Sequence, residues 1–454
     1  MAKKKGLIQG FIDGIQGDKI IWMIVLMLIM ISILAISSST PLLALQTKST
    51  RSAIINEQII VAGMGLAIIL FCYFLLNRIG FLRAVSQFGF ILSFGMLLCL
   101  ATHVNLPFLK AVNINGATRA LSIMGFQLHV FEFVKVFMVM YLAWACQAYQ
   151  EKDGFALATQ LSVLPHFGFL KSKSWQLFFY VFLPIILVSV LILMGSVSST
   201  LFIGMIMIAT VFIGGVKLKE FIIYGVLGLL LISGCVGLSF ATGGKVFPRI
   251  HTAVSRVAMA SEDPEEQLLK LQRGTVEFQE ALDKVKQPIS AKVAVSEGGL
   301  IGKGPGRSTQ RYVVPVMFED YMFSFIIEEY GIVGALLVII LYGSLLARGS
   351  ILAKNCKSQF AKVAIAGLVI MISGQALMHM MINVDLGPLT GQTLPMISHG
   401  NSSFLAFSLA FGLILAISKM VKKKMDKETA QAVPILSDEV RDRLDELEQL
   451  DNIA

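Results

Sequence analysis

Ten apolar runs, each close to the roughly 20 residues that carry an α-helix across a hydrocarbon layer, punctuate this chain of 454 residues. They lie at Ile20 to Ile36, Ile59 to Leu76, Ala84 to Ala101, Val130 to Ala145 and Phe178 to Met194 in the first part of the chain. Leu201 to Gly214, Phe221 to Phe240, Tyr321 to Leu346, Val363 to Ile382 and Phe404 to Ile417 follow. Phe178 to Gly215 is nearly unbroken and about twice as long as one crossing requires, so it is divided at Gly195-Ser-Val-Ser-Ser199, a turn signal. No water-soluble core absorbs such runs, and a chain that is 56% hydrophobic, 15% charged and of mean hydropathy +0.75 lies far from globular composition. The expected fold is an all-α polytopic membrane protein with about ten transmembrane helices and one long extracytoplasmic loop.

The short connections alternate in charge. Lys3, Lys4, Lys5 and Lys19 fall on the same side as Arg78, Arg83, Lys152, Lys171, Lys173, Lys217 and Lys219. Arg348, Lys354, Lys357, Lys362 and Lys422 to Lys424 join them. By the positive-inside rule that side is the cytoplasm, with both termini there and the long loop on the periplasmic or extracellular side. The net charge of +9 is then mainly a topology signal, with contact to anionic lipid as a second effect and no demand for nucleic acid.

The divisions that follow are a cytoplasmic interfacial helix over 1–19, transmembrane helices 1–7 over 20–240, a large extracytoplasmic loop over 241–318, transmembrane helices 8–10 over 319–420 and a cytoplasmic tail over 421–454. Leu7, Ile8, Phe11, Ile12 and Ile15 give the first of these its helical spacing. The first span has a basic leader but no small-residue cleavage pattern, so it is read as a retained helix. Cys72, Cys99, Cys146, Cys235 and Cys356 offer neither a disulfide framework nor metal-ligand spacing.

Polar groups inside or beside spans are costly and point to a working site. The long loop carries a helical middle with Leu268, Leu269, Leu271, Val276, Phe278, Leu282 and Val285, then an alternating apolar piece from Ile289 to Val295. It ends in Glu297-Gly-Gly-Leu-Ile-Gly-Lys-Gly-Pro-Gly-Arg307, whose glycines are expected to let backbone N–H groups converge with Lys303 and Arg307 on an anion such as a pyrophosphate. No strand precedes it and no Gly-Lys-Ser follows, which excludes a Walker motif and leaves an ATP-driven pump unsupported. Asp263 precedes Pro264, a backbone constraint that marks a turn. Glu328 and Glu329 lie inside an apolar span, where ion pairing to a neighbour and direct catalysis are both open. Glu132 and Lys135 are three apart on one helix face, placed to bridge each other or to reach Arg119. Gln375 and His379, four apart, either line a cavity or hydrogen-bond within the packing. Thr393-Leu-Pro-Met-Ile-Ser398, with the hydroxyl residues after it, is a turn at the start of the last span that can present N–H groups to an anion.

These residues resemble the SEDS proteins (shape, elongation, division and sporulation) of the FtsW/RodA type, most closely a divergent FtsW. Asn115-Gly-Ala-Thr-Arg119 with Glu132-x-x-Lys135 is similar to the family's N-G-A-x-R-W and Q-P-x-E-x-x-K. Gly302-Lys-Gly-Pro-Gly-Arg-Ser-Thr-Gln-Arg311, Pro315, Asp320 and Glu328-Glu-Tyr-Gly331 resemble G-x-G-x-G-x-S-x-Q-K, P-E-x-x-x-D-F-I-F and E-E-x-G. Gln375, Asn383, Pro388, Gly391 and Thr393 to Ser398 resemble Q-x-x-x-N, P-x-x-G and T-L-P-x-I-S-Y-G-G-S-S. The chain departs from the pattern at Ala120, where the family has Trp, at Gly195 to Ser199, and at His129, His379, His399 and Asn401.

The resemblance implies a peptidoglycan glycosyltransferase that polymerises lipid II into a growing glycan strand during septal wall synthesis. It also implies a single-span class B penicillin-binding protein, the transpeptidase, as partner, together with other division proteins. The family's catalytic acid lies in the outer loop in a stretch like x-Asp-Pro, which places the role on Asp263, with Glu262 or another loop acid as the alternative. Arg119, Lys303, Arg307, Gln310, Arg311 and Ser398 are the implied substrate contacts. Glu132, Lys135, Asp320, Glu328, Glu329, Gln375 and His379 are the supporting polar residues. No metal-binding residues are expected, although a divalent cation, Mg or Mn, is compatible with the chemistry. Two other functions fit an apolar chain of this kind: a flippase for lipid-linked oligosaccharide, and a non-catalytic division scaffold docking partners through Val440, Leu444, Leu447 and Leu450 of the tail.

Overall fold

A computed structural model describes residues 16–423 apart from 47, 115–116, 152–153, 164–165, 167, 244–272, 274, 315–316 and 388–389. Most of the expected interfacial helix, Asp263 with Glu262, and the tail from residue 424 therefore lie outside the described residues.

Helix α1 (Lys19–Ser39) starts where Asp18 caps it, accepting the N–H groups of Ile20 at 2.9 Å and Ile21 at 3.3 Å. The same carboxylate takes Arg348 Nε at 2.9 Å, so one cap ties two spans together. A short α2 (Pro41–Gln46) leads to α3 (Arg51–Leu75), capped by Thr50, and α4 (Ile79–Ala101). Next come α5 (Val130–Gln150), α6 (Lys173–Gly195), α7 (Val197–Ile213) and α8 (Leu218–Ala241). The outer helix α9 (Val276–Gly298) precedes α10 (Met322–Lys354), α11 (Gln359–Asn383) and α12 (Asn401–Lys423).

Nine of these helices are long and apolar enough to cross a membrane, and α7, with 17 residues, is a shorter tenth among the described residues. The division of the long Phe178 to Gly215 run occurs at Ser196, whose hydroxyl accepts the Ser199 N–H at 3.2 Å and caps α7. The protein is thus a multi-pass helical membrane protein. In α5, α12 and α11 respectively 78%, 72% and 61% of the spanning window is buried, against none of α8, so the first three form the centre and α8 the periphery.

The two ends of the bundle differ. At one end, which carries the basic connections, Gly17 packs on Lys419 and the Asp18 N–H reaches Ser418 Oγ at 2.8 Å, so Lys19 and Lys423 emerge together. The opposite end carries a four-stranded antiparallel sheet in the order β1 (Asn105–Leu106), β2 (Leu109–Ile114), β3 (Ala117–Ile123), β4 (Phe126–His129). The sequence reading named no strands in this connection, and the helical, polytopic fold is as read. The β3–β4 turn is Met124-Gly125, both at positive φ (51° and 89°), the geometry of a tight hairpin without its usual Asn-Gly label. Val112 and Asn113 form a bulge opposite β3, and β4 runs directly into α5.

The piece from Ile289 to Val295 is not a separate alternating segment. It continues α9 through Pro288, with Ser290, Ala291, Ala294 and Gly298 buried at helical spacing.

Candidate active site at the sheet end

The local structure of this end is set by a break in α10. Gly331 sits at φ 66° and ψ −167° inside the helix, so the carbonyls of Glu328 and Glu329 lose their helical partners. They accept instead the N–H groups of Lys303 and Gly304, each at 2.9 Å. The freed N–H groups of Ile332 and Val333 donate to the carbonyls of Gly299 and Leu300 at 3.0 and 3.3 Å. A loop that belongs to another part of the chain thus completes the helix's hydrogen bonding, as a buried backbone requires.

Within that frame the two acids are buried to zero exposure. Glu328 accepts Lys303 Nζ at 2.7 Å, the Thr309 N–H at 2.8 Å, Thr309 Oγ1 at 3.0 Å and a close contact from Ser308 Oγ. Glu329 accepts Ser38 Oγ of α1 at 2.6 Å and the Ser308 N–H at 3.3 Å, with Arg311 Nη1 at 3.8 Å. Arg311 is itself buried and donates to the Ser38 and Gly306 carbonyls at 2.9 and 2.6 Å. Lys303 also pairs with Glu297. Partial burial pulls the Lys303 ammonium down, but the Glu297 and Glu328 carboxylates outweigh it and hold the group above the usual lysine range.

The expectation that this glycine loop cradles a substrate anion is corrected here in one respect. The N–H groups of Lys303 and Gly304 are taken by the backbone carbonyls of Glu328 and Glu329, and those of Ser308 and Thr309 by the Glu329 and Glu328 carboxylates, so the anions these last two meet are the protein's own. Gln310 likewise gives its N–H to Glu328, at 3.4 Å. Arg307 is exposed, and no described hydrogen bond or ion pair engages its side chain.

A second group of residues forms a recess beside the break. Arg119 extends from β3 and donates through Nε to the Gly195 carbonyl at 3.1 Å, in the α6–α7 turn. It acts electrostatically on Asp320, which stands two residues before α10 and 4.0 Å from the position a Cβ on Gly391 would take. Burial raises Asp320 to about 6, opposed by the Arg119 charge. Burial raises Glu319 to about 7, with the Asp320 charge adding to it. Both side chains remain partly exposed, so these are groups at a rim that exchange protons near neutral pH.

Below the recess lies a polar seam. Lys135 of α5 is 2% exposed, 2.8 Å from Glu132 and 2.6 Å from Gln375 Oε1 of α11, with the Phe202 and Phe407 rings at 5.8 and 5.2 Å. Glu132 also accepts Ser403 Oγ at 3.0 Å, which joins α12 to the pair. Gln375 Nε2 donates to the Thr393 carbonyl at 2.9 Å, and His379 Nδ1 lies 2.7 Å from the Gln392 carbonyl. Ser398 accepts the Leu394 N–H at 2.9 Å and donates to the Glu319 carbonyl at 2.8 Å, so its hydroxyl secures the turn.

Four residues to which the sequence reading gave no site role carry this architecture. Ser38 and Ser308 bind the buried acids, Glu319 adds to the recess, and Asn383 accepts the Ser324 N–H at 2.9 Å and donates to the Asp320 carbonyl at 3.0 Å. The hydroxyl run Ser37-Ser-Ser-Thr40 at the end of an apolar span was the available signal for Ser38.

Comparison with known proteins places these features in context. Residues 18–423 match the FtsW/RodA/SpoVE model, described as a cell cycle protein. The chain is 27% identical over 338 residues to a probable peptidoglycan glycosyltransferase FtsW of Caulobacter vibrioides, covering 74% of this chain and 73% of that protein. It is 25% identical over 408 residues to the stage V sporulation protein E of Bacillus subtilis, covering 88% and 97%. In fold it is similar to a chain from a solved peptidoglycan synthase complex that coordinates polymerization and crosslinking, with a TM-score of 0.57 and 20% identity, covering 89% of this chain and 98% of that one.

Proposed function

Because the chain belongs to the FtsW/RodA/SpoVE family of cell cycle proteins, we propose that it is a peptidoglycan glycosyltransferase that polymerises lipid II into glycan strands during septal wall synthesis. The observation that carries this reading is the meeting of Arg119 and the Glu319–Asp320 pair over the Glu132–Lys135–Gln375 seam. It sets a cation and proton-exchanging acids at the mouth of a lipid-embedded bundle, where a saccharide whose anchor stays in the bilayer is within reach.

In the proposed reaction the sugar C4 hydroxyl of incoming lipid II attacks the anomeric carbon of the growing strand. Its proton passes to the Asp263 carboxylate, and the bond to undecaprenyl pyrophosphate breaks with its electron pair leaving on that group. Asp263 precedes α9 in the sequence, and α9 is held at this end by Lys292 pairing with Asp385 at 2.6 Å. Arg119 and the exposed Arg307 are the cations that meet the pyrophosphate. Lys303 and Arg311, engaged by Glu328 and Glu329, hold the loop from which Arg307 projects. Among the described residues no cluster of three or more His, Cys, Asp or Glu side chains is placed to hold a metal.

The basic end faces the cytoplasm in this reading, which puts the sheet end outside. A single-span class B penicillin-binding protein is the proposed partner. The transport alternative draws no support from the broken helix, because the backbone groups freed by the break are bonded to the 299–304 loop rather than open to an ion or substrate.

The test is incubation of the purified full chain with lipid II, with and without the coexpressed transpeptidase. Glycan polymer that depends on the chain supports the reading. Lipid II moved across liposomes without polymer points to a flippase and overturns it.

A further inference from the structure

At the basic end, opposite the candidate active site, a cavity of about 400 Å³ opens among α4, α5 and the start of α11. Gln150 and Gln359 close one side, both donating to the Gly214 carbonyl, at 2.7 and 3.4 Å. The remaining wall holds Arg83, Gln147, Glu151, Lys357 and Ser358.

Three buried polar atoms on this wall have no partner among the described residues: Arg83 Nε, Gln147 Oε1 and Ser358 Oγ. Gln147 is only 8% exposed. Native interiors satisfy nearly all such atoms, so three around one cavity indicate a group that belongs there. Ser358 occupies the N-cap position of the 25-residue α11, yet its side chain makes no capping bond. The first-turn N–H groups of that helix are therefore left for an external acceptor. Glu151 supplies the one carboxylate among these lining residues. That carboxylate is already held by Gln147 Nε2 at 2.6 Å and lies 3.7 Å from Arg83 Nη2.

We propose that this cavity binds a phosphate ester whose substituent carries a hydroxyl. The phosphate accepts from the Arg83 guanidinium, the Ser358 hydroxyl and the first turn of α11. The hydroxyl of the substituent donates to Gln147 Oε1. One such ligand is a glycerol-bearing phospholipid headgroup in the surrounding leaflet, and the other is a soluble glycerol phosphate. The cavity lies at the ends of three membrane spans, at headgroup depth, which favours the lipid.

The experiment uses the full chain, delipidated in detergent and exposed separately to phosphatidylglycerol or phosphatidylcholine vesicles, with bound lipid read by native mass spectrometry. Phosphatidylglycerol is expected to be retained about tenfold more than phosphatidylcholine, with Arg83→Gln and Ser358→Ala each lowering retention several-fold. Ser358→Ala removes no existing side-chain bond, so it remains informative where Arg83→Gln disturbs folding. Glycerol 3-phosphate that binds with the same dependence on Arg83, where phosphatidylglycerol does not, assigns the site to the soluble ester. Equal retention of both lipids, or retention unchanged in Ser358→Ala and Gln147→Leu, overturns the proposal.

Discussion

Gly302 and Gly331 stand so close that a Cβ built on either falls 2.5 Å from the backbone nitrogen of the other. Both have positive φ, 85° and 66°, and between them the outer loop exchanges backbone hydrogen bonds with the broken helix. Only residues without a side chain fit both demands at once.

Gly302→Ala and Gly331→Ala are therefore expected to lower thermal stability, each by more than about 2 kcal/mol, through strain plus displacement of the facing backbone. Gly304→Ala is the contrast. Its φ is 94° but the nearest atom to an added Cβ is the flexible Arg307 Cδ at 3.7 Å, so only the strain of roughly 1–2 kcal/mol applies. Melting temperatures of the three variants in one detergent rank them, and equal losses at all three positions contradict the close-approach argument.

The buried Lys135 is balanced by Glu132. Lys135→Met leaves that acid uncompensated beside the seam and is expected to cost about 3–5 kcal/mol. Adding Glu132→Gln should recover a large part of the loss. A double-mutant cycle on thermal unfolding measures the coupling, and additive losses would show that the two charges do not depend on each other.

The recess acids give stability a pH dependence of definite sign. Asp320 at about 6 and Glu319 at about 7 bind protons in the folded chain that their ordinary values of 3.8 and 4.5 release in the unfolded chain. Their contribution is fully present below about pH 4, and it is lost as pH rises through 6 and 7. Glu319→Gln with Asp320→Asn is expected to flatten that decline. Melting temperatures from pH 4 to 8 check this, and an unchanged slope in the double variant removes these acids as its source.

Asp263→Ala is expected to abolish lipid II polymerisation, a loss of at least ~100-fold, without reducing expression. Arg119→Gln should weaken turnover while leaving the lower seam intact. Polymer formed at the native rate by Asp263→Ala would transfer the role to Glu262, to be tested by Glu262→Ala in the same assay.

Much of the site was legible before any coordinates because membrane burial makes polar residues conspicuous. Glu328–Glu329, Glu132–Lys135 and Gln375–His379 stood out against apolar spans, and each is hydrogen-bonded and, apart from the partly exposed Glu132, buried as such groups must be. Arg119 was found through its motif, but its seat on a strand was not. Met124-Gly125 lacks the residues that announce a hairpin, and the strands beside it are short and partly exposed, so the periodicity was too brief to read.

Sequence alone determined the roughly ten apolar spans, the break between α6 and α7 and the segregation of basic connections to one end, because apolar length and charge act locally against the bilayer. Only the tertiary structure decided what the glycine loop bonds to. Lys303 and Glu328 are 25 residues apart and Ser38 and Glu329 are 291 apart. Which donor a buried carboxylate captures depends on how the helices pack, and no local pattern encodes that choice.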